Sequence, residues 1–211
     1  HNVSFQMDMP LDTMNFGIVV KNASLRDGLV DLHKEAYSAN EFKLLDSRLF
    51  YNSGNSVPLE KGLDPSHIVL SDVNLQLDSL YYQGNNIRAL LHQFELKERS
   101  GLEITSSEGR VQADDKAIRV PGLQIKTPNS FIAFNATADW SVTEQNQDGI
   151  LEGQLMAEIG KTDLFKLIPD MPKEFIQSFP SAPLQIRMDI NGTLQDLNCL
   201  LYTSPSPRDC S

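Results

Sequence analysis

Apolar residues recur at every second position over a long central stretch of the chain, from Ile68 to Trp140. The alternation is strict at Val73, Leu75 and Leu77, each of which is followed by a polar residue. The alternation continues at Ile132, Phe134, Ala136, Ala138 and Trp140, which are each two positions apart. A period of two puts the apolar side chains of a strand on one face of a sheet. We therefore expect a sheet with one face that avoids water and one that prefers it.

Short polar turns separate the strands that this pattern predicts, for example at 83–86 and 127–130. Such turns join antiparallel strands, because a parallel crossover needs a dozen residues or more. The main strands are expected at 42–51, 68–80, 87–97, 102–106, 109–113, 118–126, 131–140, 150–159 and 184–190. The predicted fold is all-β, a long curved antiparallel meander.

A different pattern follows the strand at 150–159 and predicts two short helices near residues 162–179. The first helix is expected to be capped by Thr162-Asp163 and stopped by Pro169. The second is expected at 173–179, between two prolines. Both have an apolar face, so the pair can plug one end of an open sheet.

The charge balance narrows the classes of partner. The formal net charge is −10 and the pI is near 4.8. Binding nucleic acid or anionic head groups through a basic patch needs clustered Lys and Arg, so neither is expected. No apolar run approaches the roughly 20 residues that span a bilayer. An acidic chain can still handle lipid tails, which are recognised by apolar surface.

The two ends of the chain set the expected domain boundaries. The chain opens at His1 in what resembles mid-domain sequence, so residues 1–198 are interpreted as one segment of a longer protein. Both cysteines, Cys199 and Cys210, lie in the last thirteen residues, and the rest of the chain has no thiols. Residues 199–211 resemble a peptide that arises when sequencing adapter is translated. We expect that tail to be non-native.

The sequence contains no HExxH, GxSxG, P-loop or GxGxxG motif. The histidines His1, His33, His67 and His92 lack metal-ligand spacing. The acidic residues Glu95, Glu98, Glu103 and Glu108 fall close together and could serve glycoside hydrolysis only if two of them shared a cleft. Glu95 and Glu103 occupy polar positions of their predicted strands and Glu98 lies at a predicted turn, so we expect these carboxylates to be exposed to solvent. We expect no enzyme activity, no cofactor and no metal.

Two architectures fit one-sided strands. In a β-sandwich two sheets cover each other, as in a structural or adhesive cell-surface module. In a single curved sheet the apolar face lines an open groove. Strands of about ten residues, longer than the usual five or six, and an aromatic content of 8% favour the groove. The pattern alone leaves both open.

Several segments carry a resemblance to a known family. They are 75–80, 87–90, 94–104, 123–130 and 160–165, with the Asp163-Leu164 and Pro169-Asp170-Met171-Pro172 pattern. They include a KE-x-SGL strand end and a T-x-x-S turn. Together they resemble the amino-terminal half of TamB proteins, the translocation and assembly module family of Gram-negative bacteria within the AsmA-like superfamily. The resemblance extends roughly from Phe16 to Leu197.

The resemblance implies a periplasmic protein anchored in the inner membrane by a helix that precedes this segment. Its body would be a U-shaped β-groove that moves phospholipid between membranes. A carboxy-terminal part, also outside this segment, would meet an outer-membrane barrel partner and support outer-membrane assembly. The family carries no catalytic motif. On this interpretation, phospholipid acyl chains contact a groove lined by Val73, Leu75, Leu77, Ile132, Phe134, Ala136, Leu184, Ile186 and Met188.

Overall fold

The strands of the computed structural model belong to one antiparallel sheet. The structure describes residues 2–3, 16–53, 57–143, 149–168, 172, 174, 177, 179–193 and 196–204. Within these residues fourteen strands form a single open sheet in the order β1-β3-β5-β6-β7-β9-β10-β11-β12-β13-β14. The short strands β2 and β4 also pair with β5, and β8 pairs with β7. The all-β meander is therefore confirmed.

The strand bounds follow the predicted order. They are β1 Asn2–Val3, β2 Phe16–Val19, β3 Asn22–Arg26, β4 Leu29–Asp31, β5 Ala36–Asn52, β6 His67–Gln83, β7 Asn86–Glu98, β8 Glu103–Ile104, β9 Ser106–Ala113, β10 Ala117–Lys126, β11 Phe131–Asp139, β12 Leu151–Ile159, β13 Leu184–Gly192 and β14 Leu197–Ser204. A 3-10 turn at Trp140–Thr143 and one helix, α1, at Lys161–Leu167 complete the described elements. Residues 199–204 pair with β13 as part of β14. That the tail is non-native stays a prediction.

The longest strands are interrupted by β-bulges. The register of β5 against β6 shifts between Leu44 and Ser47, and that of β6 against β7 shifts between Ser71 and Asn74. Asp46 and Asp72 sit at these shifts with φ of 51° and 50°. Asp tolerates this left-handed region better than most residues, because its short side chain bonds locally. Bulges bend a strand and increase its twist, so they curve the long strands.

The interior holds little fully buried apolar material. Only seven hydrophobic side chains are buried among the described residues, and four of them are alanines. The largest side chains that are almost wholly buried are Asp163, Ser47 and Ser107, which are polar. A two-sheet sandwich would bury a row of large aliphatic residues between its layers. The described strands contain no second sheet, so the apolar face is not sealed by one.

The first predicted helix exists, with corrected ends. Helix α1 begins at Lys161, its N-cap residue is Gly160, and no side chain caps it. The expected cap at Thr162-Asp163 is wrong, because Asp163 lies in the first turn and its side chain is buried. The second predicted helix, 173–179, lies mostly outside the described residues. No helix in the described part is long and apolar enough to cross a membrane.

Candidate functional site: the apolar face and its helical end

The predicted lining residues all lie on one face of the sheet. In β11 and β13, Ile132 and Ile186 both stand opposite Ala157 of β12. Phe134 and Met188 likewise both stand opposite Leu155. Residues that face each other across neighbouring strands share a face of the sheet. We call this surface the apolar face and the opposite one the polar face.

The same face continues through the middle of the sheet to β6. Leu77 pairs with Leu91 of β7, which pairs with Gly109 of β9. A Cβ at Gly109 would lie 2.8 Å from the Cα of Leu123, so the sheet surface passes closely from β9 to β10 at this point. Leu123 in turn pairs with Phe134. The three groups of predicted residues, on β6, β11 and β13, therefore belong to one surface.

The apolar face is incompletely covered along its length. Of the predicted lining residues only Val73 is buried, at 8% exposure. The others, from Leu75 to Met188, are half-buried. Neighbouring strands lie about 4.8 Å apart, so the eleven strands of the main path extend roughly 48 Å along the hydrogen-bonding direction. A leaflet of a bilayer is about 15 Å deep in hydrocarbon, half of about 30 Å. The face is thus longer than one acyl chain.

Sequence reasoning missed further residues of the apolar face. These are Phe42, Leu44, Leu91, Phe94, Val120, Leu123, Ile125, Leu155 and Ile190, placed there by register. A break in the alternation could have indicated where the parity of the apolar face changes, because apolar residues on either side of a bulge are spaced by three instead of two. Leu70 and Val73 are such a pair, and Asp72 with its positive φ lies between them.

A cluster of polar residues fixes α1 to one end of the sheet. We call Thr127, Asn129, Ser130 and Asp163 the end cluster. The Ser130 hydroxyl donates to Asp163 Oδ2 at 2.8 Å, and the Asn129 Nδ2 donates to Oδ1 at 3.2 Å. The Thr127 hydroxyl also donates to this carboxylate. Two segments quoted for the family resemblance, the T-x-x-S turn and the start of α1, are therefore in direct contact.

The Asp163 carboxylate is held in its charged form. Burial by itself raises the pKa of Asp163, but hydrogen bonds from Thr127, Ser130 and Asn129 outweigh it and lower the pKa below its ordinary value. Lys166 adds a cation 3.8 Å away. At neutral pH the end cluster thus contains an ionised acid whose donors are all protein groups.

Helix α1 also contacts the loop before β6 and the turn after β7. The Leu63 amide donates to the Lys166 carbonyl at 2.7 Å. Gly101, in the turn after β7, adopts φ of 87° and comes near the side chain of Lys166. Glu98 at the end of β7 is buried and accepts a hydrogen bond from the Ser100 amide. One end of the apolar face is accordingly bordered by α1, which contacts the turn between β10 and β11, the loop before β6 and the turn after β7.

The acidic residues considered for glycoside hydrolysis do not share an apolar-face cleft. Glu95 pairs with Asn74, and Glu103 pairs with Lys97, all at polar-face positions. Glu95 accepts hydrogen bonds from two amide side chains of its own face. Glu98 is engaged by backbone amides at the end of β7. Glu95 and Glu103 take the expected polar-face positions, whereas the expectation of solvated surface is wrong for Glu98, which is buried.

The histidines are separated along the sheet. His67 is buried, and its Nδ1 lies 2.9 Å from Asp64 Oδ2. His92 is exposed, 3.8 Å from Asp78. His33 lies in the turn after β4. The described residues contain no group of three or more His, Cys, Asp or Glu side chains arranged to hold a metal ion.

Comparison with protein-family models, with curated proteins and with solved structures finds no match for this chain. The resemblance in the sequence therefore stays a hypothesis.

Proposed function

We propose that this chain is a segment of a lipid-conducting protein of the TamB type, in which the apolar face of the sheet carries phospholipid acyl chains. The observation that supports the proposal most is a continuous, half-buried apolar face on a single sheet, with no second sheet over it in the described part. A sandwich module for adhesion would need that second sheet. The apolar face offers a ligand surface that a sealed core would not.

The free energy of transfer supports this role. Removing one methylene from water is worth about 0.8 kcal/mol, so an acyl chain leaves a bilayer only if apolar surface replaces the lipid around it. Cross-strand rows such as Leu123, Phe134 and Leu155 provide such surface from strand to strand. Aliphatic lining has no polar group that would fix one position along it. We infer weak, sliding contact with chains, while head groups remain in water.

The cellular setting is part of the same proposal. The segment would lie in the periplasm, held to the inner membrane by a helix outside it, and an outer-membrane barrel would be contacted through a carboxy-terminal part also outside it. Helix α1 would limit the groove at one end. The family resemblance and the geometry of the apolar face together support this arrangement.

The test is a measurement of lipid bound to the purified full chain. We expect phospholipid to co-purify and the Leu75→Asp and Phe134→Asp variants to retain at most about a tenth of it, because a charge in the groove must be desolvated by the chain. Organic extraction and mass spectrometry give the amount per protein. Asn135→Asp is the matched control, because Asn135 is the exposed polar-face neighbour of Phe134.

A second pair of variants blocks the face without adding charge. Gly153 lies on the apolar face, and a Cβ there would lie 3.4 Å from the Asn135 carbonyl oxygen and 3.9 Å from both Phe134 and Ile190, which are ordinary van der Waals contacts. Gly153→Trp should reduce bound lipid severalfold, whereas Gln154→Trp on the polar face should not. Wild-type protein without lipid, or equal loss in Gly153→Trp and Gln154→Trp, would contradict the proposal.

A further inference from the structure

A separate pocket of about 240 Å³ lies beside the end of β5 and the start of β6. Its walls include Val19, Arg48, Phe50, Pro58, Val69 and Arg99. Arg48 pairs with Val19, and Phe50 pairs with Val69, on the parity opposite to Leu49. Since Leu49 pairs with Leu70 on the apolar face, the pocket is centred on the polar face.

The pocket has a built apolar floor. A Cβ placed on Gly17 would lie only 2.1 Å from the Cζ of Phe50, so the phenyl ring lies over Gly17 on β2. Val69, which pairs with Phe50 on its other side, also lines the pocket. The floor is thus apolar, although it lies on the face that carries residues such as Gln76 and Glu95 elsewhere in β6 and β7.

The loop at the pocket is held in place by a buried carboxylate. Asp64 accepts hydrogen bonds from the Leu59 amide at 2.9 Å and the Ser66 amide at 3.0 Å. It also contacts His67 at 2.9 Å, and both side chains are about 5% exposed. Pro58 precedes these anchored residues and contributes to the pocket wall. The wall is thus organised before any ligand arrives.

Two arginines line the pocket without an ion pair to any described residue. Neither the Arg48 nor the Arg99 side chain makes an ion pair within 4.0 Å in the described part of the chain. The Arg99 amide donates to the Val69 carbonyl at 3.1 Å, which places this arginine beside the floor. The net charge of −10 repels anions at long range, but salt screens it beyond about 8 Å. The nearest carboxylates, Asp64 and Glu98, are buried and accept hydrogen bonds from backbone amides.

From this arrangement we propose that the pocket binds an anionic amphiphile, with its carboxylate or phosphate between Arg48 and Arg99 and its apolar chain over Phe50 and Val69. Guanidinium groups bind both oxyanions through charge-assisted hydrogen bonds. The volume equals that of about eight waters at about 30 Å³ each, which accommodates part of an alkyl chain and not a whole lipid. The inference does not depend on the proposed function, because most of the strand residues that line the pocket occupy polar-face positions.

The test measures binding of four probes to the full chain by calorimetry at about 0.15 M salt, below any micelle concentration. The probes are decyl phosphate, decanoate, decyltrimethylammonium and inorganic phosphate. We expect one or both decyl anions to bind, which identifies the head group. The decyl cation should not bind, and inorganic phosphate should bind at least about tenfold more weakly than the preferred decyl anion, because it buries no apolar surface.

Three variants locate the binding. Arg48→Gln combined with Arg99→Gln should weaken the preferred decyl anion at least about tenfold, because two charge-assisted hydrogen bonds are lost. Val69→Trp fills the pocket and should reduce that affinity to the level of inorganic phosphate. The charge-matched control is Arg110→Gln combined with Lys126→Gln, since both residues are exposed and lie outside this pocket. Far-UV circular dichroism checks that each variant is folded.

The outcomes separate this inference from the groove. All titrations are repeated in the Phe134→Asp background, which removes the proposed groove binding and leaves the pocket unchanged. Full affinity in the Arg48 and Arg99 double variant, or equal weakening by the control pair, would overturn the inference. So would a decyl cation that binds as tightly as the anions, or inorganic phosphate that binds as tightly as decyl phosphate.

Discussion

The sheet has two halves that differ in strand length and in the number of β-bulges. The broad half consists of β5, β6 and β7, which have 17, 17 and 13 residues. The narrow half consists of β9 to β13, with strands of eight to ten residues. In the broad half every strand pair has register shifts, whereas β11, β12 and β13 pair without one. Both halves present one apolar face.

The number of bulges differs between the halves because long strands accumulate more twist than short ones. Strands twist to the right, and a long twisted strand diverges from its neighbour unless the ladder is adjusted. Bulges with positive φ at Asp46, Asp72 and Ser79 make that adjustment in the broad half. Short strands need fewer, and the narrow half has one, at Pro121-Gly122 in β10. Strand length therefore sets how many bulges are required to keep the apolar face continuous.

The largest predicted effect concerns the helix that joins the two halves. Asp163→Ala should lower the free energy of unfolding by about 3 kcal/mol, because Thr127, Asn129 and Ser130 lose a charged acceptor. Chemical denaturation measures the change. Asp163→Asn keeps one acceptor oxygen and should lose less than Asp163→Ala. Equal stability of Asp163→Ala and the wild type would mean that α1 is not needed to unite the halves.

A smaller effect tests the bulges of the broad half. Asp72→Val should cost about 1–2 kcal/mol, because a β-branched residue is strained at φ of 50°. Asp72→Gly should cost far less, since it removes only the exposed ion pair with Lys97 and tolerates the same φ. Gln154→Val, on a regular strand of the narrow half, is the matched control and should be neutral. A similar loss in Gln154→Val and Asp72→Val would remove the distinction between the halves.

The smallest effect is a pH dependence at a turn of the narrow half. The Lys116 amide, the Arg119 guanidinium and the Ala117 amide lower the pKa of Asp114 from 3.8 to about 2. A lowered pKa contributes stability above the unfolded value, so that contribution is present above pH 3.8 and is lost as the pH falls toward 2. Thermal midpoints measured from pH 5 to 2 should fall less steeply in Asp114→Asn. Parallel curves for both proteins would contradict the assignment.

Some features of the site followed from local sequence. The alternation at Val73, Leu75 and Leu77 predicted both a strand and its apolar face, because a period of two depends only on backbone geometry. The positions of the bulges did not follow, although Leu70 and Val73 are spaced by three. A break in parity can also mark the end of a strand, and only pairing with both neighbours distinguishes the two cases.

The contacts of the end cluster could not be predicted from local sequence. The sequence predicts Thr162-Asp163 as a helix cap, since Thr or Asp before an apolar run commonly caps a helix. Its partners, Thr127 and Ser130, lie more than thirty residues earlier in the chain. No local pattern contains that separation. The contact between the two segments emerged only when β11 and β12 paired and brought the turn beside α1.

Sequence by itself determined that this chain is all-β and that its strands run antiparallel, because these depend on periodicity and on short turns. It determined which side chains share a face only within stretches free of bulges. Tertiary structure alone decided that the apolar face stays half-buried, since cover depends on whether a second layer returns over the sheet. It also decided which polar groups are buried and which are unpaired. Asp163 is buried against Thr127, Asn129 and Ser130 instead of capping its helix, because burial is set by neighbours that are distant in the chain.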